Sequence, residues 1–206
     1  MGILEDKRRA RLFYRMLSPI YDRVNPFIWT PEMRAEALEL LGIDASDQVL
    51  DVGCGTGFGT EGLLQYTQDV YGIDQSQPQL SRARAKLGEF EPVSFFLGDA
   101  ERLPFEQNTF DIVWSSGSIE YWPEPVRTLE EMKRVTRPGG RVLVVGPNTP
   151  RTRIMRAIAK AIMLFYDEEE AERMFTAAGY TDISHHLMGP SYNPEIAITT
   201  IATVPN

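Results

Sequence analysis

Asp51-Val52-Gly53-Cys54-Gly55-Thr56-Gly57 closes the short β-rich run Gln48-Val49-Leu50-Asp51-Val52. Glycines at every second position after a strand let the main chain turn sharply with positive φ and keep side chains from between the backbone and a bound ligand. The helix expected next offers its first N–H groups to a carboxylate-bearing, nucleoside-containing molecule. Downstream, β-rich runs at residues 70–74, 93–97, 110–114 and 141–145 alternate with helical segments. Such alternation means crossover connections and a parallel sheet.

The intervening helices are placed by caps and breakers. Ser76 and Pro78 open the helix carrying Leu80, Ala83 and Leu87, and a helix over 123–135 stops at Arg137-Pro138-Gly139-Gly140. Helical spacing continues over 151–165, and an acid-started helix over 167–178 is stopped by Gly179. Two last strands, 181–187 and 196–204, have no helix between them, so they form a hairpin and one of the seven strands runs antiparallel. Before the glycine turn, residues 5–41 read as two or three helices broken at Ser18-Pro19 and Asn25-Pro26. The expected fold is α/β and Rossmann-like, a seven-stranded mostly parallel sheet with a C-terminal antiparallel hairpin. All 206 residues form one domain on this reading: an N-terminal helical lid (1–44), a cofactor-binding core (45–148), then substrate-side helices and the hairpin (149–206).

Composition narrows the function. A net charge of −8 disfavours nucleic acid. The dense basic cluster Lys7-Arg8-Arg9-Ala10-Arg11 suits anionic lipid as well as it suits a solvated helix face. One cysteine, Cys54, permits no internal disulfide and no cysteine-cluster metal site, and no metal is expected. No run reaches the roughly 20 apolar residues of a membrane span, and the N-terminus carries charges where a signal peptide is apolar. A cytoplasmic protein is expected, with peripheral contact at the inner face of the membrane left open.

Asp74 closes the second strand, 23 positions after Asp51, where a carboxylate can accept hydrogen bonds from ribose hydroxyls. Asp99, with Ala100, closes the third and can take an adenine amino group. The candidate cofactor set is Tyr21, Asp51, Gly53, Cys54, Gly55, Thr56, Gly57, Asp74, Gln75, Asp99, Ala100 and Ser115. Asp51 reads equally as a hydrogen-bonded organiser of the turn, and Cys54 as a small turn residue. A nicotinamide dinucleotide is the competitor, because Gly57-Phe58-Gly59-Thr60-Glu61-Gly62 has its glycine spacing. That match starts too late after the strand and falls in the helix, which favours S-adenosyl-L-methionine, with S-adenosyl-L-homocysteine as product.

These residues, with Leu103-Pro104-Phe105 and Arg137-Pro138-Gly139-Gly140, resemble the class I methyltransferases. A closer resemblance is to the 2-methyl-6-phytylbenzoquinone / 2-methyl-6-solanesylbenzoquinone methyltransferases of plastids and their archaeal relatives. It runs through residues 13–18, Tyr21-Asp22, Asn25-Pro26, Trp29-Thr30, Met33-Arg34, Asp74-Gln75-Ser76 and Gly117-Ser118-Ile119-Glu120-Tyr121-Trp122-Pro123. Gly146-Pro147, Met163-Leu164-Phe165, Glu168-Glu169-Glu170 and Gly189-Pro190 extend it. The resemblance implies C-methylation of a prenylated quinol, of benzoquinol or demethylmenaquinol type. It weakens over 191–195, and no counterpart of the plastid enzymes' C-terminal membrane anchor is expected here.

On the acceptor side, Glu120 is the candidate base or hydrogen-bond acceptor for the ring hydroxyl, and Tyr121 the candidate partner for a flat ring together with Trp122. A non-catalytic charge and ordinary core packing are the competing readings. Tyr14, Tyr21 and Trp29 are expected in the lid, with Tyr21 over the methionine end of the cofactor. The apolar stripe of 151–165 suits a prenyl channel, a membrane surface or a buried amphipathic helix. His185 and His186 alternate along a strand, so at least one points away from any site.

Overall fold

The computed structural model describes residues 29–88, 93–150 and 165–206. Seven strands form one sheet in the order β3-β2-β1-β4-β5-β7-β6. They are β1 (Gln48–Val52), β2 (Asp69–Asp74), β3 (Val93–Leu97), β4 (Phe110–Ser116), β5 (Thr136–Pro147), β6 (Thr181–Met188) and β7 (Ala197–Thr203). β7 alone runs antiparallel to its neighbours β5 and β6, as the missing crossover helix requires. Strand order reverses between β1 and β4, and the glycine turn leaves β1 at that point.

Five α-helices are described: α1 (Pro31–Leu41), α2 (Phe58–Leu63), α3 (Gln77–Leu87), α4 (Pro125–Val135) and α5 (Glu168–Ala177). Side chains alternate between two cores, one on each face of the sheet. Leu50, Val52, Val113, Val142 and Val144 pack with Leu129, Met132 and Phe175 of α4 and α5. Val49, Ile112, Trp114, Leu143 and Val145 pack with Met33, Ala37, Leu38 and Leu41 of α1. Both faces are therefore dry, which is why the central strands read as near-continuous apolar runs.

Local chemistry sets the helix ends. Thr30 caps α1, its hydroxyl accepting from Met33 N–H, and Pro31 stands at the first helical position. Asp167 and Glu170 cap α5 reciprocally, each side chain taking the other's backbone N–H. The expected helix over 123–135 begins at Pro125; a 3-10 turn, Ile119–Tyr121, precedes it.

The breakers Arg137-Pro138-Gly139-Gly140 do not separate α4 from the strand as expected. They form an irregularity inside β5, whose pairing with β4 jumps from Phe110↔Thr136 to Ile112↔Arg141. Gly139 N–H donates to Val204 O, and Val204 N–H returns a bond to Gly140 O, so β7 covers the irregular stretch.

His185 and His186 lie on edge strand β6. His185 sits between Glu172 of α5 and Thr200 of β7, each 3.0 Å away, and ties that helix to the sheet. The expected helices over 5–28 and 151–164, with Tyr14 and Tyr21, lie outside the described residues. Trp29 is buried in the α1-side core.

Candidate functional site

Gly53 has φ +74° and Gly55 φ +53°, the backbone that the sequence reading required after β1. The turn is pinned to β2: Gly53 and Cys54 both donate to Ile73 O, at 2.8 and 3.1 Å. A side chain on Gly55 would meet nothing within 4 Å among the described residues, which leave open space against the turn there. The displaced glycine match falls on α2 as expected, with Gly57 its N-cap.

Asp74 ends β2 beside this space. Its Oδ2 accepts from Gly55 N–H at 2.9 Å and its Oδ1 from Ser76 N–H at 2.8 Å. Each oxygen keeps a lone pair for a further donor. Burial pushes the carboxyl above its ordinary value, against the two backbone bonds that favour the charged form. Gln75 is exposed. Asp99 stands two residues beyond β3; its Oδ1 accepts from Glu101 N–H at 3.1 Å, and Ala100 is half-buried beside it.

Asp51 and Ser115 lie deeper. Asp51 is buried and its Oδ2 accepts the Thr60 hydroxyl at 2.7 Å, fastening β1 to α2. Ser115 is buried and donates to Val52 O at 2.8 Å, joining β4 to β1 just before the turn. Cys54 is buried too, and burial followed by the charges of Asp51 and Asp74 pushes its thiol well above the ordinary range, which leaves it a poor nucleophile. Thr56 is half-buried within the turn.

Burial also raises the Asp51 carboxyl from 3.8 to about 7, with a further contribution from Asp74 and opposition from Thr60. A folded pKa above the unfolded one gives stability that is complete below the unfolded value and lost as pH rises through the folded value. Asp51→Asn is therefore expected to flatten the pH dependence of unfolding. Between about pH 5 and about pH 8, wild type should lose on the order of 2–3 kcal/mol relative to the variant. Urea unfolding across that range checks this, and parallel profiles would contradict it.

The segment after β4 reaches back to the turn. A Cβ on Gly53 would fall 2.2 Å from Ser118 Oγ, and the same oxygen accepts from Trp122 Nε1 at 3.0 Å. Glu120 follows in the 3-10 turn and is buried, Tyr121 is half-buried, and Trp122 is buried. Tyr166 lies against Gly146 and Ile119 and is buried. Sequence reasoning passed over Ser118 and Tyr166.

Arg34 was also passed over as an anchor. Its guanidinium donates to Phe58 O at 2.6 Å and Glu61 at 3.0 Å and stands over the Phe58 ring, locking α1 to the helix after the turn. Its position in the Met33-Arg34 match was the available signal.

Residues 50–144 match the family described as "Methyltransferase domain". Those residues carry a methyltransferase domain, on the fold of the S-adenosylmethionine-dependent methyltransferases. The chain is 42% identical over 193 residues to 2-methyl-6-phytyl-1,4-hydroquinone methyltransferase 2, chloroplastic, of Oryza sativa subsp. japonica, a match covering 92% of this chain and 55% of the rice protein. The chain thus spans little more than half the length of the plant relatives it matches. It is 28% identical to the demethylmenaquinone methyltransferase of Staphylococcus aureus (strain JH9), over 86% of this chain and 87% of that one. The same fold occurs in phosphoethanolamine N-methyltransferase 2 of Haemonchus contortus, solved with S-adenosyl-L-methionine: TM-score 0.74 at 18% identity, over 85% of this chain and 53% of that one.

The residues present fit that cofactor. The space that the described residues leave at Gly55 adjoins a half-buried carboxylate with acceptor capacity to spare, the requirement for a ribose diol. Among the described residues no group of three His, Cys, Asp or Glu could hold a metal ion, and no helix is long and apolar enough to cross a membrane.

Proposed function

We propose that the chain methylates a ring carbon of a prenylated quinol, of benzoquinol or demethylmenaquinol type. The observation that carries this reading is the contact between Gly53 and Ser118, which sets the acceptor segment Gly117–Pro123 directly against the cofactor turn. The plant and bacterial relatives, both named for quinol methylation, support the substrate class.

S-adenosyl-L-methionine supplies a methyl group made electrophilic by its sulfonium sulfur. Asp74 takes the ribose hydroxyls, with Gln75 beside it; Gly53, Cys54, Gly55, Thr56 and Gly57 shape the wall of the site. Asp99 and Ala100 meet the adenine. Asp51 and Ser115 hold the turn from below, so they act on the cofactor through its backbone. Tyr21 is kept as a proposed cover for the methionine end.

A reduced ring has the electron density to attack, and loss of its phenolic proton increases it. Glu120 accepts that proton, and Tyr121 packs against the ring. Holding ring carbon, methyl and sulfur nearly in line supplies several kcal/mol of the barrier reduction. Glu120→Gln is therefore expected to slow turnover by about 10²–10⁴-fold with cofactor affinity intact. Wild-type rates in that variant would remove Glu120 from the mechanism.

Residues 45–148 serve as the cofactor-binding core and 149–206 complete the acceptor side. The partner is a small lipophilic molecule and not nucleic acid, which the charge of −8 repels. A prenyl tail dissolves in bilayers, so the protein is placed in the cytoplasm with peripheral contact at the inner membrane face. Incubating the protein with methyl-labelled cofactor and a reduced lipid extract from its source tests the reading. Label recovered in a quinol supports it; label in a different acceptor overturns it.

A further inference from the structure

Two buried hydroxyls at the carboxyl end of β5, Tyr166 Oη and Thr149 Oγ1, have no hydrogen-bond partner among the described residues. They stand on adjoining backbone: Thr149 N–H donates to Tyr166 O at 3.1 Å, and Tyr166 N–H to Pro147 O at 3.4 Å. Gly146 makes room for the phenol. A Cβ there would fall 2.7 Å from Tyr166 Oη and 2.4 Å from Ile119 Cγ2, so any side chain would force the ring out from between β5 and the 3-10 turn. Ile119 is the neighbour of Glu120, which brings phenol and carboxylate to the same end of β4 and β5.

A buried donor left unmade is a net cost, and phenylalanine would fill the same space without it. Such groups persist where a ligand completes them. We propose that Tyr166 is a binding residue for the methyl acceptor, donating its O–H to a ring oxygen opposite Glu120. The inference rests on the quinol reading of the site.

The chemistry of the pair suits a phenolic ring. Burial, and then the negative charge of Glu120, push the Tyr166 phenol well above its ordinary range, so it stays protonated and keeps its O–H to donate. Glu120 as carboxylate can only accept. A ring hydroxyl does both. A ring gripped by one donor and one acceptor is fixed in orientation, and the Tyr166 bond strengthens as negative charge gathers on the ring oxygen.

The test is Tyr166→Phe in the full chain, with three readouts. A prenylated hydroquinone should bind about tenfold more weakly than to wild type. Its analogue with hydrogen in place of both hydroxyls should bind equally to the two proteins. Cofactor affinity should be unchanged and the melting temperature equal or higher, because an unsatisfied group has been removed. Unchanged hydroquinone affinity, or a lower melting temperature with equal losses for both probes, would overturn the inference. If the wild-type protein neither binds nor methylates the hydroquinone, the functional reading fails and the inference with it. Wild-type turnover with an indifferent Tyr166→Phe overturns the inference alone.

Discussion

Alanine at Gly53 is expected to weaken binding of S-adenosyl-L-methionine by at least about a hundredfold, from two costs that add. The backbone there has φ +74°, and a left-handed conformation costs a residue with a Cβ roughly 1–2 kcal/mol. The new methyl would also overlap Ser118, 2.2 Å from its Oγ and 2.6 Å from its Cβ. Neither partner moves freely. The turn is bound through Gly53 and Cys54 to Ile73 O, and Ser118 Oγ accepts from Trp122 Nε1. Relieving the overlap displaces either the cofactor turn or the segment bearing Glu120, at a typical overpacking cost of about 1–3 kcal/mol. Because the displacement also separates donor from acceptor, turnover should fall further than cofactor affinity does. Calorimetric titration with a parallel rate measurement checks this; wild-type affinity and rate together would mean that the Gly53–Ser118 contact does not join the two halves of the site.

Asp74→Ala is the second large effect, with cofactor affinity falling by about two orders of magnitude. The carboxylate has two duties. It holds the N–H groups of Gly55 and Ser76, which fixes both the turn and the entry to α3, and in the proposed function its remaining lone pairs take the ribose hydroxyls. Alanine removes both. Asparagine keeps the size but has only one acceptor oxygen, so it should lose affinity by an intermediate factor. Titration of the three proteins, with unfolding curves to separate stability from binding, gives the order wild type, Asn, Ala. Equal affinity in wild type and Asp74→Ala would sink the ribose contact.

The strand cores were legible because both faces of the sheet are covered, which leaves Val49, Leu50, Val113 and Val142 in runs that only buried parallel strands tolerate. That one strand runs antiparallel followed from a chain-length argument, since a short loop cannot make a crossover, and the structure makes that strand β7. Arg137-Pro138-Gly139-Gly140 was misread because breakers mark any departure from regular structure. Whether they end an element or kink it depends on β7, whose Val204 bonds Gly140 from 64 positions away.

The placement of the acids and glycines around the turn was legible because they sit at strand ends, where sequence order and spatial order coincide. Asp51 illustrates the limit: spacing could not say whether its side chain faced the ligand or Thr60, and the structure gives it to Thr60. The packing roles of Ser118, Tyr166 and Arg34 were illegible for a further reason. Each acts across elements, against Gly53, Gly146 and Phe58 respectively, and those contacts depend on register and φ rather than on any local pattern.

A turnover measurement decides whether the chain methylates a reduced prenylated ring. The purified protein is given methyl-labelled S-adenosyl-L-methionine and a prenylated hydroquinone, alongside the same compound oxidised to the quinone and a demethylmenaquinol-type naphthoquinol. The prediction is label on a ring carbon of a reduced acceptor, one S-adenosyl-L-homocysteine per methyl transferred, and nothing on the quinone. Tight cofactor binding with no label on either reduced ring would contradict it.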